Sequence, residues 1–135
     1  EVVFASSVEV GEGDASHMTD GNPDTFWHTM YSVTVAKFPH WVDLDAGSVK
    51  TIKGLTYLPR QHNRNGRIKD YKVQVSIDGK SWGKVVAQGE FEDTEKEKQV
   101  VFSAPIKARY VRFTALSACD GQDFATAAEI SILAE

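Results

Sequence analysis

The run from Tyr71 to Ile77 carries an apolar residue at every second position (Tyr71, Val73, Val75, Ile77) and stops at Asp78-Gly79. An extended strand sends successive side chains to opposite faces, so this spacing puts all four on one side. A helix would scatter them around its circumference. The Asp-Gly pair that follows is a turn signal. Related runs recur along the chain. Trp41-Val42-Asp43-Leu44-Asp45 alternates and ends at Gly47, and Ile52 to Leu58 ends at Pro59. Val100 to Phe102 reads as a short strand stopped by Pro105, while Tyr110, Val111, Phe113 and Ala115, then Ile130 and Ile132, continue the pattern. No window of a dozen residues carries a helical stripe. Short strands divided by Gly, Pro, Asn and Asp turns predict an all-β fold, an antiparallel sandwich or barrel. The 135 residues suffice for one domain with its own core, spanning 1–135. Cys119 is the only cysteine, so neither an intrachain disulfide nor a thiolate zinc cluster can form.

Several function classes are disfavoured by composition. A net charge of −4 argues against general nucleic-acid binding, which needs a basic excess to release counterions. The basic cluster Arg60, Arg64, Arg67, Lys69 therefore reads as a local loop feature. The longest apolar runs are only a few residues, too short to span a membrane. No nucleophile elbow, zinc-protease helix, phosphate-binding loop or dinucleotide fingerprint occurs, and His17, His28, His40 and His62 lack the paired spacing of a zinc site. The expectation is a binding module without catalysis.

Two long polar stretches, Gly11 to Pro39 and Pro59 to Lys69, interrupt the strand pattern, and long loops in a small domain tend to carry function. Glu90 to Lys98 mixes both charges and reads as a solvated turn or edge. Asp20-Gly21-Asn22-Pro23-Asp24-Thr25 is oxygen-rich and turn-prone. It is not an EF-hand, because the positions for glycine six and glutamate twelve hold Thr25 and Tyr31. By spacing alone it reads equally as a plain turn or as a loop for a hard cation. Trp27, His28, Tyr31, Arg60, Asn65 and Phe124 also fall in these loops or near the end of the chain. An aromatic ring can cover the C–H face of a sugar while His, Arg and Asn reach its hydroxyls. The alternative makes the aromatics core and the arginines solvated, and for Trp27 the core reading is the better one.

At these same residues the chain resembles a known family. The marks are Asp20-Gly21-Asn22-x-x-Thr25-x-Trp27-His28-Thr29, Pro39-His40 and Gly54-Leu55-x-Tyr57-Leu58-Pro59-Arg60-Gln61. They continue with Ser76-x-Asp78-Gly79-x-x-Trp82, Ala108-Arg109-Tyr110-Val111-Arg112 and Ala128-Glu129-Ile130. Together, from about Ala5 to the C-terminus, they resemble the coagulation-factor C-type or discoidin domain, in particular its bacterial and fungal branch, the family 32 carbohydrate-binding modules.

The resemblance implies a jelly-roll-like β-sandwich holding one structural calcium. Its ligands would be the side chains of Asp20, Thr25 and Glu129 and the carbonyls of His17, Asn22, Thr25 and Ala128. It implies a sugar site formed by His28, Tyr31, Arg60, Asn65 and Phe124, with Glu12 as an added acidic contact. Phe124, with Tyr31, would stack on the sugar, and His28, Arg60 and Asn65 would bond its hydroxyls. The implied ligand is a galactose or N-acetylgalactosamine end. The implied setting is a module of a larger secreted, periplasmic or cell-surface bacterial glycoside hydrolase, with no membrane insertion. Tyr31 stands where some relatives carry Trp, and no exposed loop apolars of the membrane- or collagen-binding kind stand out. Two alternatives remain: an interaction module docking to a protein or membrane surface, and a scaffold piece of an enzyme with no ligand.

Overall fold

The computed structural model describes all residues from Glu1 to Glu135. In chain order the elements are β1 (Val2–Ala5), a 3-10 turn (Ala15–Thr19), β2 (Trp27–His28), β3 (His40–Leu58) and β4 (Asp70–Ser76). Then follow β5 (Ala87–Glu90), β6 (Lys98–Ala115), β7 (Thr126–Ala127) and β8 (Glu129–Ala134). All strand pairings are antiparallel.

Two long strands make the sandwich. The first part of β3, His40 to Asp45, pairs with β6 from Ala115 to Tyr110, flanked by β1 on one side and by β4 and β5 on the other. The second part, from Lys50 to Tyr57, pairs with β6 from Ala108 back to Lys98, with β8 on its free edge. The ladder shifts register between Asp45 and Lys50, where Gly47 adopts φ 91° and donates its N–H to Asp45 Oδ1 at 2.8 Å. A continuous sheet thus bends over on itself, and its halves face each other. Tyr57 of the second half lies 5.8 Å, centroid to centroid, from Phe113 of the first.

This corrects the predicted strand ends. Gly47 and Pro105 do not terminate strands, because β3 and β6 run past them. Gly47 supplies the bend. Pro105 sits in a second irregularity, where Ile52 pairs with Ile106 but Gly54 already pairs with Val101. The missing amide hydrogen of a proline costs no ladder bond in such a bulge. Gly54 meets β6 closely: a Cβ there would lie 1.9 Å from the Val100 carbonyl oxygen.

The alternation seen in sequence sorts the faces as predicted within the strands, but Ile77 lies beyond the end of β4 and is 65% exposed instead of joining Tyr71, Val73 and Val75. Val42, Leu44, Val73, Val111 and Phe113 are buried, and Trp27 is 1% exposed with its indole N–H donated to the Ser7 carbonyl at 2.9 Å. On the opposite face, Arg112 grips Asp43 through two bonds of 2.7 and 2.9 Å, and Arg109 grips Asp45 at 2.8 and 3.0 Å. Ionised bidentate pairs of this kind are stronger than neutral hydrogen bonds.

Tyr57 has a second role beyond packing. Its hydroxyl donates to the Thr126 carbonyl at 2.8 Å and accepts from the Ile68 N–H at 3.1 Å. Burial raises the phenol well above its ordinary value, so it stays a neutral donor. Removing it strands a buried acceptor and a buried donor. Tyr57→Phe is therefore expected to cost about 1–3 kcal/mol in urea denaturation. A loss below the error of the fit would show that water replaces the hydroxyl.

Acid sensitivity follows from two carboxylates. The Arg109 guanidinium holds Asp45 at about 2, and the N–H groups of Ser81 and Lys80, with the Ser76 hydroxyl, hold Asp78 at about 2. Depressed values mean that this stabilisation is present above the unfolded value and is lost as pH falls toward the folded one. The melting temperature should therefore fall between pH 4 and pH 2. Asp78→Asn and Asp45→Asn should each flatten that fall, and curves parallel to the parent protein would refute the assignment.

Candidate functional site

The short β2–β7 pair places the first of the site residues. His28 is opposite Thr126, and Trp27, opposite Ala127, is sunk in the core. The loop before β2 packs tightly on it. The His28 N–H donates to Gly13 O at 3.1 Å, and a Cβ on Gly13 would meet His28 Cβ at 2.4 Å. Only glycine fits there.

Three rings converge at this end of the sandwich. The His28 ring lies 4.8 Å from Tyr31 and 5.3 Å from Phe124, and Tyr31 and Phe124 lie 5.7 Å apart. Interplanar angles of 58°, 45° and 58° make the group a shallow cup. Phe124 is fixed beside β2 because Thr29 N–H donates to Ala125 O and Ala125 N–H donates to Thr29 Oγ1, both at 3.1 Å. The loop carrying it is also held at Asp123, whose carbonyl meets His40 Nε2 at 2.6 Å. His28 Nδ1 is 2.6 Å from the Thr29 carbonyl, which assigns the proton to Nδ1 and leaves Nε2 an acceptor. Nε2 has no partner in the protein and is not sealed from solvent, although His28 as a whole is only 4% exposed.

Tyr31 is held at both ends. Its backbone N–H and that of Ser32 donate to Glu9 Oε1 at 2.9 and 3.0 Å, and Ser32 Oγ donates to Glu9 Oε2 at 2.5 Å. Its hydroxyl donates to Glu12 Oε2 at 2.5 Å, which raises the phenol above its usual value. The Ser32 hydroxyl, then the Tyr31 and Ser32 N–H groups, lower Glu9. Glu9 was not singled out in the sequence. An acid between Val8 and Val10 looks like any outward-facing strand position, so the sequence carried no signal for it.

Arg60 lies beside the cup, over Phe26, whose ring is 6.4 Å from that of His28. Burial lowers its guanidinium from the ordinary value, and the charges of Glu12 and Tyr31 oppose that shift. It stacks over Phe26 at 3.9 Å, an aromatic missed because it hides beside Trp27 in the sequence. Arg64 and Arg67 pair instead with Asp93, which accounts for the basic cluster as a local loop feature. Asn65 is set by its backbone, whose carbonyl accepts from Thr126 Oγ1 at 2.9 Å while Gly66 O accepts from Thr126 N–H at 2.8 Å. Its side-chain amide has no partner in the protein. His28, Tyr31, Phe124, Glu12 and Arg60 are thus brought together, and Asn65 is anchored to the residue opposite His28. No enclosed cavity is lined by the three rings, so the site is an open platform.

One sequence reading needs correction. Val10 and Val33 are 82% and 90% exposed on the loops beside Glu9 and Tyr31, so loop apolars do project here. Single valines in polar stretches leave no run to notice.

The oxygen-rich loop is also assembled. Asp20 Oδ1 accepts from Asn22 N–H at 2.9 Å, Asp20 Oδ2 accepts from the Thr25 hydroxyl, and that hydroxyl also reaches Asn22 O at 3.1 Å. Glu129, following Ala128 at the start of β8, faces Asp20 across this loop, while His17 spends its side chain on the Phe26 carbonyl. Burial first, then the hydrogen bond and charge of Asp20, push Glu129 up to about 7, and its Oε1 is sealed without a partner. Two facing carboxylates and an orphaned oxygen fit a hard cation. No three His, Cys, Asp or Glu side chains converge, so the remaining donors would be the Thr25 hydroxyl and backbone carbonyls.

The chain was compared with known proteins. It is 41% identical over 122 residues to a sialidase of Micromonospora viridifaciens and 40% identical over 133 residues to galactose oxidase of Gibberella zeae. These alignments cover 90% and 96% of this chain but 19% of each relative, so it spans about a fifth of their length. Among solved structures, CpGH89CBM32-5 from Clostridium perfringens, in complex with GalNAc-β-1,3-galactose, superposes with a TM-score of 0.88 at 35% identity. That match covers 97% of this chain and 93% of the other. The family 32 module of NanJ from the same organism, in complex with galactose, gives 0.83 at 30% identity, covering 96% and 90%. The F5/8 type C domain family matches residues 3–130, and the chain belongs to that family, with family 32 carbohydrate-binding modules as its structural neighbours.

Proposed function

We propose that this domain is a non-catalytic carbohydrate-binding module that takes a terminal galactose or N-acetylgalactosamine in the cup formed by His28, Tyr31 and Phe124. The observation that carries the reading is the convergence of three rings beside His28 Nε2, which the protein's own hydrogen bonds leave free, with Arg60 stacked nearby on Phe26 and the unengaged Asn65 amide on a backbone anchored to Thr126. The ring faces cover the sugar's C–H surface. Arg60 and Asn65 donate to hydroxyls, and His28 Nε2 accepts from one. Glu12 orients Tyr31 and lies within reach of the same hydroxyl rim. A polar set matched to one hydroxyl geometry rejects the epimer, because desolvated donors are then left unpaired. The ligands named for the two Clostridium modules support this sugar class. An open platform implies weak binding, with Kd ~0.1–1 mM, or about −4 to −5.5 kcal/mol.

The relatives are much longer than this chain, which supports a module within a larger secreted, periplasmic or cell-surface protein. In that setting it would hold an attached glycoside hydrolase against galactose-bearing glycans. No helix is long and apolar enough to cross a membrane. Val10 and Val33 favour a second reading, docking to a lipid surface. Titration calorimetry with galactose separates the two. Phe124→Ala and Arg60→Ala should each weaken galactose binding at least about tenfold with the melting temperature retained. Unchanged binding in both variants would refute the site. A blank glycan array together with capture by anionic vesicles would replace the sugar reading with the second one.

The loop from Asp20 to Thr25 is the proposed seat of a structural calcium. Asp20, Thr25 and Glu129 would supply side-chain oxygens, and His17, Asn22, Thr25 and Ala128 would supply carbonyls. The ion would tie β8 to the first loop and contribute folding energy only. At a hundredfold excess over Kd a ligand bound only to the folded state adds about 2.7 kcal/mol. Calcium should therefore raise the melting temperature of chelator-stripped protein, and Glu129→Gln should remove the difference. Identical melting with calcium and with EDTA would refute the site.

A further inference from the structure

The largest surface cavity, about 480 Å³, lies away from the ring cup, on the outer face of the sheet between β1, β3, β6 and the turn after β4. Its volume falls in the range of about 300–1,000 Å³ typical of small-molecule sites. Four aromatic residues line it: Phe4, Trp41, Trp82 and Tyr110. Phe4 and Trp41 are inclined by only 27° at 6.2 Å, and Phe4 is 49% exposed. The Arg112 guanidinium lies 4.4 Å from the Trp82 ring and 5.6 Å from Trp41. Because Arg112 is also clamped to Asp43, both indoles are held by a side chain that is itself fixed.

The charged lining is balanced, with Asp43 and Asp78 against Lys80 and Arg112. Asp43 and Arg112 satisfy each other, and Asp78 Oδ1 takes the Lys80 and Ser81 N–H groups at 2.9 Å. What remains uncommitted is a set of polar groups: the Lys80 amine, the Trp82 indole N–H and the Tyr110 hydroxyl make no hydrogen bond within the protein. The Trp41 indole N–H is sealed and unpaired. A neutral groove with flat aromatic walls and spare donors suits a neutral ligand with an apolar face and a rim of acceptor oxygens. An anion would meet no net positive charge there, and a cation no net negative charge.

We infer that this groove is a second carbohydrate site, taking an uncharged pyranose unit on the Phe4, Trp41 and Trp82 walls with its hydroxyls on Lys80 and Tyr110. The inference stands independently of the ring cup. If both sites operate, one module grips a branched or repeated glycan at two points, and avidity exceeds either affinity.

Three indole N–H signals make the test direct, since Trp27, Trp41 and Trp82 are the only tryptophans. In ¹⁵N-labelled Phe124→Ala protein, with the first site disabled, lactose, cellobiose and maltose are titrated in turn. At least one is expected to shift the Trp41 and Trp82 signals saturably in the millimolar range, while the core Trp27 signal stays still. Phe4→Ala, at a half-exposed ring, should weaken that response at least about tenfold without unfolding, and Trp82→Ala should abolish it. No saturable shift with any of the three sugars overturns the inference, as does a response unchanged in Phe4→Ala. A proline-rich peptide that shifts these signals when no sugar does would overturn it in favour of peptide docking.

Discussion

The hydroxyl of Tyr57 is the point on which the functional end of the molecule depends. It sits on β3, fully buried, and joins the backbone of Ile68 to that of Thr126. Neither Pro59–Lys69 nor the stretch before Thr126 belongs to the main sheet, and this hydroxyl ties both segments to it, beside the direct bonds they make with each other. Thr126 extends the link with its own N–H and hydroxyl, which bind Gly66 O and Asn65 O, and it pairs with His28 across β2 and β7. A chain of short polar contacts therefore runs from the core to loops that are distant in sequence. Hydrogen bonds of this kind are modest in net energy but costly to leave broken when buried.

Two kinds of order thus meet in one domain. The sandwich is held by apolar burial between the halves of β3 and β6, which tolerates exchange of one hydrophobic residue for another of similar size. The functional end is held by directed bonds: Glu9 to the Tyr31 backbone, Glu12 to the Tyr31 hydroxyl, Thr29 to Ala125 and His40 to Asp123. These have fixed geometry and set the positions of the rings. The acidic residues in this set act by posture. Glu9 accepts two backbone N–H groups and thereby fixes where the Tyr31 ring stands.

The sequence showed the longer strands because alternation is a local signal, as in Tyr71 to Val75 and in Trp41 to Asp45, while the short strands β1, β2, β5 and β7 carry too few residues to show it. It misjudged where strands end. Gly47 and Pro105 are usual stop signals, yet one serves a bend and the other a bulge within longer strands. Whether such a residue stops or merely bends a strand depends on the partner across the ladder, which no local window contains. The ring cup was legible through the resemblance, since His28 and Tyr31, Arg60 and Asn65, and Phe124 lie in three separate segments and nothing in their spacing joins those segments. Glu9 and Phe26 escaped notice because each works through contacts with residues far away in sequence or beneath another side chain. The aromatic groove on the outer face was invisible for the same reason: Phe4, Trp41, Trp82 and Tyr110 come from four separate segments.

The loop between β3 and β4 is tethered at its start by β3 and near its close by the Gly66–Thr126 bond. Between those tethers, His62, Asn63 and Arg64 are exposed. Changes there leave the core anchor untouched while altering what surrounds Arg60 and Asn65. At the proposed sugar site, ligand preference would therefore be free to drift, or be re-engineered, by exchanging a few residues in a frame whose thermodynamic integrity is secured elsewhere.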